Sequence, residues 1–528
     1  MKRTVTLILL ALLAFTITLG GCTNNSGAEE TDSPPPVADN PSPSGTPVHG
    51  GEIIVGIAQD LGSSFDPHQM AAAGTAGLRE VLFNVFEGLV RPTPDGELVP
   101  AIAESFSVDG TVYTFTLRDG VRFHNGDLVT VEDVVYSIAR SADAEQASTF
   151  VAAFSVIHRV EAIDDRTVEI EIEAPDNAFL ALLTIAIIPA DYDDQAQNPI
   201  GTGPFQFVSH TPQDNLVLRR FDDYWGQPAY LEQVTFRIFG SGDAMAMALS
   251  AGAVDIAGQL TSDMVRQIPD DFYYLAGPMN LVQALWLNNA VPPLDNVYAR
   301  YALAWAIDVD EIIALLYDGE GFPIGSSMPP SFTRYFHEDL VNTFTDQAGE
   351  GVDTRSVALD MLELAGLPDG FDLTITVPGN QTPHVLTAEI IAEQLRAVNI
   401  NVTIDLVEWA WWLSEVNSGR NFQSTITGIA ARDITARSFM ERWVSDNSRN
   451  FINFYSPEYD AIFTEAQNTT DETEQARLYR ELQEIVTNEA GSVFLQDLVN
   501  FVGINGNLSG WQFYSIYVMD LATVHFTE

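Results

Sequence analysis

The run Gly51-Glu52-Ile53-Ile54-Val55-Gly56-Ile57 is apolar behind a single glutamate, which predicts a first buried strand. Leu78 to Leu89 (LREVLFNVFEGL) brings apolar residues back at helical spacing and predicts an amphipathic helix. Tyr113, Phe115 and Leu117 alternate with polar residues as in a half-buried strand, which the turn sequence Arg118-Asp119-Gly120 ends. Thr130 to Arg140 (TVEDVVYSIAR) predicts a second helix, with Thr130 as its cap and Asp133 at the third helical position. Further along, Asp372 to Val377 reads as a strand followed by a helix from Val385 to Val398, and Val402 to Val407 as another strand. Strand and helix patterns interleave to the end of the chain, so the fold class is mixed α/β.

Two stretches at the start break this pattern. Lys2 and Arg3 precede an apolar run, Thr4 to Leu19, that is shorter than the ~20 residues of a membrane span, so residues 1–21 read as a secretory signal. The next residue, Cys22, is the single cysteine of the chain and cannot form an internal disulfide. Leu19-Gly20-Gly21-Cys22 resembles the lipobox of bacterial lipoproteins, which implies that Cys22 is lipidated and anchors the chain to a membrane. Residues 22–50 are rich in Pro, Ser, Asp and Glu and nearly free of large apolar side chains, so they predict a disordered tether. In a polyproline-like conformation about 28 residues would reach about 90 Å.

From Gly51 onward the composition is that of a globular protein. About 480 residues exceed one ordinary core, and two or three domains are expected. The chain carries 73 Asp plus Glu against 24 Lys plus Arg, a formal net charge of −49, and Lys2 is its only lysine. Such an excess repels itself in dilute buffer, which points to an environment of high salt or of low pH. It also makes nucleic acid and anionic membrane surfaces poor partners for the body of the protein.

Catalytic and metal motifs are missing from the sequence. The eight histidines are scattered without an i, i+4 pair, and no G-x-S-x-G elbow, Walker loop or G-x-G-x-x-G occurs. Gly201-Thr202-Gly203-Pro204 is followed by a strand-like run, Phe205 to Val208, and reads as a tight turn and not a phosphate cradle. No enzyme activity, metal or cofactor is expected.

A series of short motifs runs in order through the mature chain: Phe86-Glu87-Gly88-Leu89, Pro100-Ala101-Ile102-Ala103-Glu104-Ser105, Tyr113 to Gly126, Glu132 to Ser137, Pro199 to Phe205, Asp223-Tyr224-Trp225-Gly226, Gly252 to Ile256 and Arg300 to Asp308. Together they resemble the family 5 solute-binding proteins, the extracytoplasmic receptors of ABC importers for peptides and, in some members, nickel chelates or glutathione. Read individually, Arg118-Asp119-Gly120 and Asn125-Gly126 are turn chemistry, and Tyr224 and Trp225 are packing aromatics.

The resemblance implies a bilobal periplasmic-binding-protein-like fold (type II, cluster C) with an insertion domain in the first lobe. Lobe I would comprise 51–74, 198–283 and 500–528, the insertion domain 75–197, and lobe II 284–499. A solute would lie between lobes that close by hinge motion, and extended peptides would be held partly through backbone hydrogen bonds. Asp433 matches the aspartate that pairs with a peptide's α-ammonium in peptide-binding relatives, with Arg432 and Arg437 beside it as donors to a carboxylate or phosphate. Such relatives usually place a tryptophan before this aspartate and Asp-Pro after it, whereas Ala430 and Ile434-Thr435-Ala436 stand here. The loop Met70, Ala71, Ala72 to Gly74 and the aromatics Trp409, Trp411 and Trp412 could line the cleft, although three tryptophans this close also suit a lobe core. The expected partners are a peptide or other small solute and an ABC permease with its ATPase, for a monomeric receptor outside the cytoplasm. A non-peptide solute (nickel chelate, glutathione-like or oligosaccharide) and a non-transport sensor on the same scaffold stand as alternatives.

Overall fold

The computed structural model describes residues 45–69, 76–146, 148–176, 178–344, 352–430, 435–469 and 471–528, all within one unit spanning Ala38–Glu528. Its main sheet contains β1 (Glu52–Ile57), β2 (Phe205–Thr211), β3 (Asn215–Arg220), β4 (Gln233–Ile238), β5 (Ile256–Leu260), β6 (Phe272–Leu287), β7 (Phe371–Pro378), β8 (Ile400–Val407), β9 (Ser424–Ala430) and β10 (Ser492–Asn505). They are joined in the order β8-β7-β9-β6-β10-β5-β1-β4-β3-β2, and Phe322–Pro323 adds a short strand on β10. The expected strands at 51–57, 205–208, 372–377 and 402–407 are β1, β2, β7 and β8. β1 pairs in parallel with both β4 and β5, and β7 with both β8 and β9.

Two long antiparallel strands join the halves of this sheet. Phe272 to Pro278 of β6 pair with Val499 to Asn505 of β10, and Val282 to Trp286 pair with Ser492 to Asp497. Between these ladders the register shifts, and Asn280 takes the left-handed conformation with φ +56°. Both lobe boundaries expected from the sequence, at 283/284 and 499/500, fall inside this strand pair.

Three of the apolar cores follow the sheet and its additions. Ile53, Val55, Leu216, Leu218, Val234 and Phe236 pack with Leu78, Val81 and Leu82 of helix α1 (Ala76–Leu82). On the other side of the crossing, Val282, Trp286, Phe439, Trp443 and Phe451 form a second core. A separate four-stranded antiparallel sheet orders Ala103–Asp109, Val112–Leu117, Thr167–Ile172 and Ile157–Ala162. Its core, which includes Leu89, Phe115, Phe123 and Val168, also receives Val134 and Ile138 from α2 (Val131–Ala142). The expected cap of α2 is present: the Asp133 N–H donates to Thr130 Oγ1 at 3.3 Å and the Thr130 N–H to Asp133 Oδ2 at 2.9 Å.

One helix is shorter than its pattern. The amphipathic run 78–89 is helical only to Leu82, because Asn84 turns back on the chain. Its amide donates to Val81 O (3.0 Å) and Met519 O (2.6 Å), and its oxygen accepts the Leu521 N–H (2.9 Å). Gly88 then lies so close to residues 183–185 that a Cβ there would stand 2.4 Å from Leu183 O. The bend at Gly201–Gly203 packs on this same corner, held by the Gly203 N–H donating to Val85 O at 2.9 Å and not by a local turn bond; a Cβ on Gly201 would meet Val85 O at 2.1 Å and one on Gly203 would meet Asn84 O at 2.5 Å. Tertiary approach of backbone, not helix propensity, sets these glycines.

Candidate functional site

In open sheets with parallel strands, ligands gather beyond the carboxyl ends of the strands, where the connections diverge. One set of such ends belongs to β1 and β5, paired through Val55 with Ile256 and Gly56 with Ala257, and a second to β7, β8 and β9. β1 can lie there because Gly56 carries no side chain; a Cβ would stand 2.8 Å from Met245. β5 loses register against β10 between Ala257 and Leu260, and the bulge holds Gln259 at φ +55°. The Gln259 N–H donates to Asn500 Oδ1 at 2.9 Å, which fixes this unusual conformation.

A small half-open cavity of about 20 Å³ sits at this bulge, walled by Gly56, Gln59, Gly258, Gln259, Tyr517 and Glu80 of α1. Glu80 is 7% exposed. Burial pushes its carboxyl up to about 8, partly offset by Arg79. The Tyr517 phenol is raised by burial and by the nearby Glu80 carboxyl, against hydrogen bonds with Gln259 and Asn500.

The strand crossing lies on the same sheet. Asp497 of β10 is fully buried and accepts the N–H groups of Asn280 at 3.1 Å and Leu281 at 2.9 Å, in the gap between the two ladders. Burial raises its carboxyl to about 7, against the opposing effect of these backbone donors. The Asn280 side chain donates to Tyr514 O at 2.6 Å and accepts from Ser331 Oγ, so the crossing is tied to the C-terminal segment and to the loop at 331.

The sequence-derived site residues divide into two groups. Cys22, Met70, Ala71, Ala72, Gly74, Arg432 and Asp433 lie outside the described residues. The loop leading to Met70 is anchored: Asp66 pairs bidentately with Arg140 of α2 at 3.0 and 2.5 Å. His68 donates through Nε2 to Ala186 O at 2.9 Å and accepts from Arg140 at Nδ1, with burial pushing it down to about 4. Trp412 is 4% exposed, stacks parallel on Trp409 at 5.1 Å and donates from Nε1 to Thr425 Oγ1 at 2.9 Å. It packs in the second core, whereas Trp409 and Trp411 are exposed. Arg437 pairs with Asp176 at 2.8 Å, and the Gln467 amide, turned oxygen inward, accepts from its Nε and Nη2.

Two clusters escaped the sequence reading. One is the Glu80 cavity, whose only trace is glycine inside the strand patterns at Gly56 and Gly258. The other is Glu87, buried and accepting from Tyr224 Oη (2.7 Å), Trp225 Nε1 (2.8 Å) and Thr202 Oγ1 (3.1 Å). Three motifs far apart in sequence thus meet at one carboxyl, with the Arg118 guanidinium 4.4 Å from the Trp225 ring centroid. Among the described residues no group of three or more His, Cys, Asp or Glu is placed to hold a metal, and no helix is long and apolar enough to cross a membrane.

The model of the bacterial extracellular solute-binding proteins, family 5 Middle, matches residues 97–451. Dipeptide-binding protein DppE of Bacillus subtilis is 26% identical over 520 residues, covering 90% of this chain and 91% of its own. Heme-binding protein A of Haemophilus influenzae is 26% identical over 457 residues, covering 79% and 82%. Among solved structures, the periplasmic binding protein DppA of Helicobacter pylori in complex with peptide STSA aligns with a TM-score of 0.71 at 24% identity, over 91% of this chain and 99% of that one.

Proposed function

We propose, on the premise that this chain belongs to family 5 of the bacterial extracellular solute-binding proteins, that it captures a peptide or peptide-like solute outside the cytoplasm and delivers it to an ABC permease. Lobe I (51–74, 198–283, 500–528) and lobe II (284–499) would close on the solute about the β6–β10 crossing, with 75–197 inserted in lobe I. The observation that carries this reading is the crossing itself: a long strand pair whose ladder is interrupted at residues 279–281 of β6, in the same sheet as a cavity at the carboxyl ends of β1 and β5. Cys22 would carry the lipid that keeps the receptor at its membrane, and residues 22–50 the slack to reach the permease. Asp433 would take the solute's α-ammonium, with Arg432 beside it and the 70–74 loop and Trp409 at the rim.

A non-peptide solute is the second reading, favoured by the heme-binding relative, which is as similar in sequence as the dipeptide-binding one. Mass spectrometry of small molecules carried through native purification, followed by titration calorimetry with a dipeptide library in molar NaCl, tests both. Peptides in the eluate and heat on titration support the peptide reading. A bound heme, sugar or metal chelate with silent peptides sinks it.

A further inference from the structure

Glu80 differs from Glu87 and Asp497 in that its carboxyl makes no hydrogen bond among the described residues. Its side chain makes no hydrogen bond or ion pair among the described residues, and it faces a cavity whose volume of about 20 Å³ matches one water-sized group. The cavity wall contains no Arg, Lys or His; its polar side chains are Glu80, Tyr517, Gln59 and Gln259. One of these, Gln259, is held in the left-handed region, the kind of strain that persists at sites where it is used. A buried carboxylate without a partner is costly, and a cation of matching size removes that cost. The head of a primary amine is close to water in size and matches this space, whereas a guanidinium is larger.

We propose that this cavity is a subsite for a primary ammonium group of the captured solute, with Glu80 as its carboxylate partner and the Tyr517 hydroxyl and Gln259 beside it. The inference deepens the solute-receptor reading and rests on it, and it adds a second cation position apart from Asp433. A solute with two amines, such as a peptide bearing a lysine-like side chain, would satisfy both.

Burial keeps Glu80 protonated up to about pH 8, so the cation competes with a proton. Arg79 on α1 and Tyr517 are the titratable groups acting on it. A primary amine of ordinary pKa (about 10.4) stays charged to pH 9, so its affinity should rise about tenfold between pH 7 and 9 as Glu80 ionises.

The test uses the full chain in molar NaCl, with n-butylammonium, 1-butanol and butylguanidinium as probes and thermal shift as the readout. The subsite predicts a shift with butylammonium, its half-saturation falling about tenfold from pH 7 to 9, a weaker response to butylguanidinium and none to butanol. Glu80→Gln should abolish the response while remaining folded, since it replaces a partnerless group. Equal shifts with butanol, no rise with pH in the wild type, or a response retained in Glu80→Gln overturn the proposal; so does an equal shift from KCl alone, which marks a simple monovalent-ion site. The wild-type pH series decides the matter even if the variant fails to fold. Silence of the peptide library with a positive butylammonium series would sink the peptide reading and leave the subsite standing.

Discussion

Glu80 and Glu87 are seven positions apart, and each is 7% exposed, yet their surroundings are opposite. Glu87 receives three donors from side chains that lie more than a hundred residues away in sequence. Among the described residues Glu80 receives none, and it looks into a cavity. Burial raises both carboxyls above the ordinary range, so their ionisation alone does not tell them apart. The donors do: a buried polar group with its bonds made holds the fold, and one left without them is where the molecule has kept a place for something else.

The largest effect is expected at Glu87. Glu87→Ala should lower stability by about 3–5 kcal/mol, because it leaves the buried Tyr224 and Thr202 donors and the half-buried Trp225 donor without this acceptor. Denaturant titration followed by tryptophan fluorescence in molar salt would show it; a change below about 1 kcal/mol would mean that the cluster is incidental.

Asp497 is the intermediate case, a buried carboxyl whose donors are backbone N–H groups. Asp497→Ala should cost about 2–3 kcal/mol by orphaning the amides of Asn280 and Leu281. Unlike Glu87→Ala, it should also alter solute affinity, since it loosens the crossing. Equilibrium unfolding and titration calorimetry on the same variant separate the two effects.

At Glu80 the sign reverses. Its folded pKa, about 8, lies above the ordinary 4.5, so the folded state holds a proton that the unfolded chain gives up. The associated stability is present in full below about pH 4.5, is lost as pH rises through about 8, and then levels. Glu80→Gln should therefore flatten stability across this window and leave the protein no less stable at pH 8. Asp497, raised to about 7 from 3.8, contributes in the same direction but finishes earlier. Unfolding curves at half-unit pH steps would resolve the two; a Glu80→Gln profile parallel to the wild type would remove the contrast.

The smallest effect belongs to a partly exposed ion pair. Arg437→Gln removes the partner of Asp176, and in molar salt it should change stability by less than about 1 kcal/mol. If it costs several, the pair behaves like a buried contact, and the division drawn from Glu80 and Glu87 does not extend to this surface.

Local chemistry made part of this readable from the sequence. The alternating residues of 113–117 and the Thr130 and Asp133 cap announce themselves within a few positions, and the structure places them as read, whereas Gly201–Gly203 bends without the local hydrogen bond of a tight turn. The family resemblance came from residues such as Glu87, Thr202 and Trp225, but their shared hydrogen bonds span 115 to 138 positions and no local pattern records them. The helix end at Leu82 was illegible for the same reason: Asn84 stops it by bonding to Met519 and Leu521. Glu80 reads in sequence as an ordinary polar position of an amphipathic helix, because a missing partner leaves no mark. Gln259 gives no sign of its left-handed backbone, which the β5–β10 bulge and Asn500 impose.

The break between the two ladders of β6 and β10 has a mechanical meaning. A hydrogen-bonded strand pair resists stretching along its length and yields more readily to torsion. Here the ladder is interrupted over residues 279–281, so any twist of one half of the sheet against the other would be concentrated in a joint three residues long. One carboxylate spans that joint, gripping the amides of Asn280 and Leu281. Asp497 is thus the clasp of that joint: a single side chain ties the two ladders together where their own hydrogen bonds lapse.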